Sequence, residues 1–238
     1  MVRRVLKVDL HIHTADDPFD RIPYSTRELI DRAAMLGYDA LAVTLHEQQL
    51  DVHPFAAHAA ERGMVLIPGI ERTVEGCHVL LLNFPYGVAE RVHSFDDVVR
   101  VKRGCGGLVI APHPYFPGPH SLFGALTRHA DVFDAVEYNA MYTASLNFNR
   151  RAERWAREHA KPLVGNGDVH RLEQLGTTYS LVDAGRDPAA ICAAIAAGQV
   201  RLVTRPLTWP AAVRIMAGIV ASSLGIGARA PQPARATV

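Results

Sequence analysis

Short apolar segments alternate with helical segments along most of this chain, and this alternation restricts the possible folds. The segment 39–47, DALAVTLHE, is a continuous apolar run typical of a buried parallel strand. It follows a helix predicted over 25–37, which begins with a capping box of Ser25 and Glu28 and ends at Gly37. Seven or so such units in about 200 residues fit a small α/β barrel better than an open sheet.

The same patterns place the remaining elements and divide the chain. Strands are predicted over 4–13, 39–47, 64–71, 77–84, 107–114, 134–140, 161–170 and 200–206. Helices are predicted over 25–37, 53–63, 95–106, 121–133, 145–160, 187–199 and 211–224. We expect a barrel over 1–206, followed over 207–238 by an apolar helix and a disordered tail with too few apolar residues to pack.

Composition and charge argue against several classes of protein. The 238 residues carry 25 basic and 24 acidic side chains, so the net charge of +1 predicts no binding of duplex nucleic acid or of an anionic membrane. Three cysteines without close spacing predict no disulfide framework. We find no signal peptide and no apolar run of membrane-spanning length, which predicts a cytoplasmic protein.

Histidines and carboxylates gather at the carboxyl ends of the predicted strands. His11 and His13 in VDLHIHT share one face of the first strand, because side chains two residues apart point the same way. Other strand ends carry His46, Glu47, Glu71, His113, Glu137, Asn139, Asp168 and His170, while His78 opens the strand after Glu71. In a barrel these ends meet at one rim. The clustering therefore predicts a metal site there.

The types of side chain indicate which cations would bind. Imidazole and carboxylate groups without cysteine suit zinc, manganese or iron. About eight candidate ligands exceed what one ion uses, so we expect two or three divalent ions. Neighbouring ions of this kind can stabilise both the attacking and the leaving oxygen of a phosphoryl displacement.

The ordered motifs resemble those of the polymerase and histidinol phosphatase (PHP) family. They are DLHIHT (9–14), LAVTLHE (41–47), PGIE (68–71) with HVLLL (78–82), APHP (111–114) and GNGDVH (165–170). The resemblance implies a distorted (β/α)7 barrel with a two- or three-metal phosphoesterase centre. The ligands it implies are His11, His13, His46, Glu71, His78, His113, Asp168 and His170, with Glu71 as the bridging carboxylate.

Two features depart from the family pattern. The second motif usually reads Thr-Asp-His, whereas this chain has Leu45 before His46. The family often has another Asp or His shortly after the first motif, and here Asp16, Asp17 and Asp20 are available. We favour Asp17 as this ligand, with Asp20 next, and expect at least one of the three to cap the loop.

The resemblance implies a metal-dependent phosphoesterase in which a metal-activated water attacks the phosphate ester of a small phosphomonoester or nucleotide. Asp168 or His170 could carry a proton to the leaving group, and Glu71 would complete the catalytic set. Arg72 and Arg171, each beside a predicted ligand, are the candidates for binding the substrate phosphate.

Three other functions remain open at this point. They are an exonuclease on short nucleic acid, a different metal-assisted hydrolase such as an amidohydrolase, and a non-catalytic metal-binding scaffold. Amidohydrolases usually rely on a lysine at a strand end, and neither Lys102 nor Lys161 ends a predicted strand. The helix over 211–224 could pack on the barrel, contact a second copy or lie on a membrane, and packing is favoured. The oligomeric state is left open.

Overall fold

The structure, a computed structural model, describes residues 4–226 and 230. Its strands are β1 (Arg4–Asp9), β2 (Ala40–Val43), β3 (Val65–Val74), β4 (Cys77–Leu82), β5 (Leu108–Ala111), β6 (Ala135–Asn139), β7 (Leu163–Asn166), β8 (Thr178–Ala184) and β9 (Val200–Thr204). Its α-helices are α1 (Thr26–Met35), α2 (His53–Glu61), α3 (Phe95–Cys105), α4 (Gly124–Arg128), α5 (Asn149–Glu158), α6 (Pro188–Ala196) and α7 (Trp209–Ser223).

All nine strands form one mixed sheet in the order β7-β6-β5-β4-β3-β2-β1-β8-β9. The pairs β1–β2, β2–β3, β5–β6 and β6–β7 are parallel. Strand β4 runs antiparallel to both β3 and β5. The carboxyl ends of β1, β2, β3, β5, β6 and β7 therefore meet at one rim, together with the start of β4, which is why residues from so many strands can converge there.

The sheet curls until β7 approaches β8, and this contact nearly closes a barrel. Ser180 bridges the two strands: its hydroxyl accepts from the Gly165 amide at 2.8 Å and lies 3.2 Å from the Gly165 carbonyl oxygen. A Cβ atom at Gly165 would lie 2.6 Å from a Leu202 methyl and 2.7 Å from the Tyr179 carbonyl oxygen, so the approach needs glycine. The fold is the predicted distorted α/β barrel, and the antiparallel strand β8 completes it.

Three hydrophobic clusters hold the layers together. One contains residues of the strands and of α6, including Leu6, Leu80 and Ile191. A second packs α1 and α2 on the sheet through residues such as Leu29 and Phe55. The third joins α3, α4 and α5 to β3–β6. The helices thus pack against the strands, and the side chains at the rim are polar.

Helix α7 lies beside the rim and is anchored on one face. Ile215 is buried, the Gly218 carbonyl oxygen accepts from Arg171 Nη2 at 3.3 Å, and Arg214 pairs with Glu173 at 3.0 Å. Among the helices of residues 4–226, none is long and apolar enough to cross a bilayer. Most of the tail predicted to be disordered, 227–229 and 231–238, lies outside the described residues.

Candidate metal centre

The ten side chains predicted as metal ligands converge at the rim. They come from the end of β1, the β1–α1 loop, the end of β2, strands β3 and β4, and the ends of β5 and β7. We call them the rim cluster: His11, His13, Asp17, Asp20, His46, Glu71, His78, His113, Asp168 and His170. Groups of three from this cluster bring ligand atoms within 4.8 Å of one another, as a metal ion requires.

Glu71 lies at the centre of the rim cluster, and five imidazole rings face its two carboxylate oxygens. The side chain is 1% exposed and belongs to the long strand β3. Glu71 Oε2 lies 3.3 Å from His11 Nε2, 3.3 Å from His13 Nε2 and 3.2 Å from His46 Nε2. Glu71 Oε1 lies 2.7 Å from His78 Nδ1 and 3.1 Å from His113 Nε2. Both carboxylate oxygens of Glu71 are therefore within reach of imidazoles, and its role as a bridging ligand stays a prediction.

Asp168 approaches the same group from the end of β7. Its Oδ1 atom lies 3.5 Å from His11 Nε2, 3.7 Å from His13 Nε2 and 3.4 Å from His170 Nδ1. Asp168 and His113 both have positive φ angles, 48° and 28°. Non-glycine residues rarely adopt this conformation, and it is concentrated at functional sites.

The two loop carboxylates have different environments. Asp17 is fully buried, and its Oδ2 atom lies 2.9 Å from His13 Nδ1 and 3.0 Å from His46 Nδ1. Asp20 Oδ2 lies 3.0 Å from His170 Nε2 and 4.0 Å from His46 Nδ1. Both side chains therefore reach the cluster, but through different imidazoles.

The imidazoles control the charge of the carboxylates. Burial by itself would raise the pKa of Glu71, yet the positive field of His78, His11 and His46 holds that pKa well below its usual range. Burial also opposes ionisation of Asp17, and hydrogen bonds from His13 and His46 lower its pKa instead. These acids are therefore held in their anionic form, as metal ligands must be.

Glu137 supports the cluster from β6, although sequence analysis placed it only among the strand-end residues. Its Oε2 atom accepts from His11 Nδ1 at 2.7 Å and from Asn166 Nδ2 at 3.1 Å. Its Oε1 atom accepts from Asn139 Nδ2 at 2.8 Å and from the His113 amide at 3.2 Å. A carboxylate bound to the far nitrogen of an imidazole fixes the tautomer and orientation of that ring.

Asp9 is a second supporting acid, and it was not predicted. It is buried beneath the rim and accepts hydrogen bonds from the amides of Gly167 and His11. Burial raises the pKa of Asp9 to about 7. Its position in the motif DLHIHT was the available signal, but the sequence did not show what it contacts.

The two arginines predicted to bind phosphate are not brought into the rim cluster. Arg72 pairs with Glu47, donates to the Val92 carbonyl oxygen at 2.7 Å and contacts His93 Nδ1 at 2.9 Å. Arg171 donates to helix α7. Each follows a predicted ligand directly in sequence; Arg72 lies in strand β3, where alternation turns its side chain to the face opposite that of Glu71.

The donor set fits divalent cations. Within residues 4–226, the buried atoms His11 Nε2, His13 Nε2 and His78 Nδ1 have no hydrogen-bond partner, although each lies within 3.3 Å of a Glu71 oxygen. A buried polar atom without a partner is costly. Free imidazole nitrogens around a carboxylate are the ligands that zinc, manganese and iron accept.

Two cavities that share lining residues lie on the α7 side of the cluster. One, of about 270 Å³, opens over Glu71, His113, Asp168 and His170 and is bordered by Met216 of α7. The other, of about 700 Å³, runs between α7 and the loops after β5 and β6, and its lining is almost entirely apolar. The two share Phe116, Pro117, Met141 and Met216. The rim cluster is therefore accessible, and one side of its approach is hydrophobic.

Comparisons with known proteins agree with the fold and the motifs. The family model PHP_C, described as PHP-associated, matches residues 147–200. No curated protein matches the sequence significantly.

Solved structures show the same fold at low sequence identity. A two-domain protein from Bacteroides vulgatus, containing a predicted PHP-like metal-dependent phosphoesterase, matches with 19% identity and a TM-score of 0.66. That match covers 85% of this chain and 66% of the Bacteroides chain. PsfC from Pseudomonas syringae matches with 19% identity and a TM-score of 0.62, over 92% of this chain and 98% of its own.

A third similar structure corrects the predicted partners. Endonuclease Q, in complex with a 27-mer duplex carrying an abasic lesion at the active site, matches with 14% identity and a TM-score of 0.60. The match covers 98% of this chain and 75% of that protein. The expectation of a small phosphorylated substrate and no duplex nucleic acid is therefore wrong. Net charge does not exclude binding of duplex nucleic acid, because binding depends on the local potential around a site.

The chain therefore has the fold of structures described as PHP-like metal-dependent phosphoesterases, and its residues 147–200 match a PHP-associated family model.

Proposed function

We propose that this protein is a metal-dependent phosphoesterase that binds two or three divalent cations in the rim cluster and hydrolyses a phosphate ester there. The observation that carries the proposal is the arrangement of five imidazoles around the buried carboxylate of Glu71, with three ring nitrogens left without hydrogen bonds. Zinc, manganese and iron are the candidate cations, since the donor set is imidazole and carboxylate.

The contacts suggest how the ligands would be shared. One group is His11, His13, Glu71 and Asp168, and a second is Glu71, His78 and His113. A third could form at His170 with the loop carboxylate Asp20. Glu71 belongs to the first two groups, so it would bridge them. Cations bound there would neutralise charge on a phosphoryl group and lower the pKa of a bound water.

The side chains of the protein would supply positioning and proton transfer. Glu137 holds His11 in one orientation through Nδ1, which leaves Nε2 directed at Glu71. His170 and Asp168 border the cavity over the cluster and lie 3.4 Å apart. The one of these two side chains that does not bind a cation would return a proton to the leaving alkoxide.

A phosphodiester of nucleic acid is the first substrate to test. The support is the likeness to endonuclease Q, whose structure contains a DNA duplex. Arg72 and Arg171 contact other parts of the protein, so this proposal does not depend on either of them as a phosphate ligand.

Elemental analysis followed by hydrolysis assays tests the proposal. The purified full chain, incubated with Mn²⁺ or Zn²⁺, is expected to retain at least two equivalents of cation and to cleave bis(p-nitrophenyl) phosphate or a labelled single- or double-stranded DNA oligonucleotide. His113→Ala should lower the rate by more than ~100-fold, because a catalytic cation contributes several kcal/mol. His53→Ala is the control, since His53 is exposed outside the cluster and pairs with Asp51.

The results that would overturn the proposal are specific. Failure of the wild-type protein to retain cations, or release of no product from any of these esters, would contradict it. Full activity of a folded His113→Ala variant would do so as well.

A further inference from the structure

We propose that Asp17 orients His13 and His46 and is not itself a cation ligand, so that Asp20 is the ligand supplied by the β1–α1 loop. This inference rests on the proposed cation binding in the rim cluster. It departs from the sequence prediction, which placed Asp17 before Asp20 as a ligand.

The first argument is that the oxygens of Asp17 are already occupied. Oδ2 accepts from His13 Nδ1 at 2.9 Å, from His46 Nδ1 at 3.0 Å and from the His46 amide at 3.0 Å. Oδ1 accepts from the amides of Phe19 and Asp20, both at 2.9 Å. A carboxylate has about four lone-pair positions, and these five contacts use them.

The second argument concerns the histidines. With Nδ1 of His13 and of His46 donating to Asp17, the Nε2 atom of each ring carries the free lone pair. Those Nε2 atoms lie 3.3 and 3.2 Å from Glu71 Oε2, and the two rings stack with centroids 4.3 Å apart. Asp17 therefore selects the tautomer in which both histidines can bind cations next to Glu71.

The third argument is that Asp20 is open to the site. Asp20 lines the cavity of about 270 Å³ over the rim cluster. It also lines a third cavity, whose walls include His46 and His78. Asp17 lines neither of these cavities. The Oδ2 atom of Asp20 lies 3.0 Å from His170 Nε2 and 4.0 Å from His46 Nδ1, the nitrogen that donates to Asp17. A cation held by His170 would therefore find Asp20 within reach.

The residue before His46 in sequence cannot take the orienting role. Residue 45 is Leu, which has no polar group in its side chain. Leu45 is fully buried in the cluster that packs α1 and α2 on the sheet. The nearest carboxylate to His46 is instead Asp17, which reaches both the amide and the ring of that residue.

Two matched variants test the assignment: Asp17→Asn and Asp20→Asn in the full chain. Asn at 17 keeps an oxygen that can accept from the loop amides, so the loop should remain folded, as circular dichroism can check. Cation content is measured by elemental analysis after dialysis against Mn²⁺ or Zn²⁺, and affinity is measured by calorimetry. Asp17→Glu, which retains the carboxylate, serves as the conservative variant.

Asp17→Asn is expected to retain the wild-type number of cations with affinity weakened 10- to 100-fold, the usual effect of losing an orienting carboxylate. Asp17→Glu should recover part of this affinity. Asp20→Asn is expected to lose one equivalent of cation. With Co²⁺ as the bound probe, the visible absorption should shift in Asp17→Asn, whereas in Asp20→Asn the contribution of one cation should disappear.

The opposite pattern would overturn the inference. Loss of one cation in Asp17→Asn, or a full complement of cations in a folded Asp20→Asn, would make Asp17 the ligand. The cation content of Asp20→Asn tests the inference even if Asp17→Asn does not fold. Cation binding without hydrolysis would refute the phosphoesterase proposal alone, whereas a wild-type protein that binds no cations would refute both.

Discussion

Glu71 Oε1 and Oε2 each face different imidazoles, so a change at this side chain should affect more than one cation. We expect Glu71→Gln to retain the fold, because the amide has nearly the same shape, and to lose at least two equivalents of cation, because the bridging charge is gone. Elemental analysis of the dialysed variant measures this loss, with His53→Ala as the control. Retention of every cation would show that Glu71 is not a bridging ligand.

Sequence reasoning could find most members of the rim cluster from one rule, that polar residues at the ends of buried strands share a rim, whereas Asp17 and Asp20 were named only because of the family resemblance. Sequence reasoning could not find the orienting contacts of Glu137, Asp9 and Asp17. Those depend on which nitrogen of a ring faces which oxygen, and no spacing in the sequence encodes that. Arg72 was misleading for a related reason, since its neighbour in sequence faces the cluster while its own side chain pairs with Glu47.

Helix α1 provides a prediction about local stability. Its capping box joins Ser25 and Glu28, whose Oε2 atom accepts from the Ser25 amide at 2.7 Å and from the Ser25 hydroxyl at 2.8 Å. Ser25→Ala should lower the free energy of unfolding by about 1 kcal/mol, the usual effect of removing an N-cap hydroxyl. Denaturant unfolding at pH 7 measures the change, and an unaltered midpoint would contradict it.

The same box should make stability depend on pH. Hydrogen bonds from the backbone and side chain of Ser25 lower the pKa of Glu28 from its ordinary value of 4.5. The stabilisation from ionised Glu28 is therefore complete above pH 4.5 and is lost as the pH falls through the lowered pKa. The stability difference between wild type and Glu28→Gln should fade over that acidic range, and a constant difference would argue against the ionised cap.

Elements with a clear periodic pattern were predicted well, and two others were not. Strand β8 (Thr178–Ala184) was missed, although its burial alternates along its length, because its partner β1 lies at the other end of the barrel in sequence. The helix predicted over 121–133 is shortened to Gly124–Arg128. The Ser121 hydroxyl donates to the Phe116 carbonyl oxygen at 2.7 Å, which commits the first residues of that segment to the loop after β5.

Barrel closure at β7 and β8 leads to a prediction for the whole fold. Gly165→Ala would place a methyl group 2.6 Å from Leu202 and 2.7 Å from the Tyr179 carbonyl oxygen. We expect a loss of 1–3 kcal/mol in the free energy of unfolding, the usual range for overpacking a core, measured by denaturant unfolding. Gly104→Ala is the matched control: its added methyl meets nothing within 4 Å, and alanine suits the interior of α3, so stability should not fall. Equal effects of the two changes would mean that the close approach is not needed.

The meeting of the first and seventh strands affects the order of events during synthesis. The His13 amide donates to the Val169 carbonyl oxygen at 3.0 Å, and the Val169 amide donates to the His11 carbonyl oxygen at 3.1 Å. The earliest and the latest contributors to the rim are thus joined by main-chain hydrogen bonds, across an interval of more than 150 residues. A nascent chain that has not yet emerged beyond residue 170 lacks Asp168 and His170, so the full set of cations should be loaded only when the barrel is nearly complete.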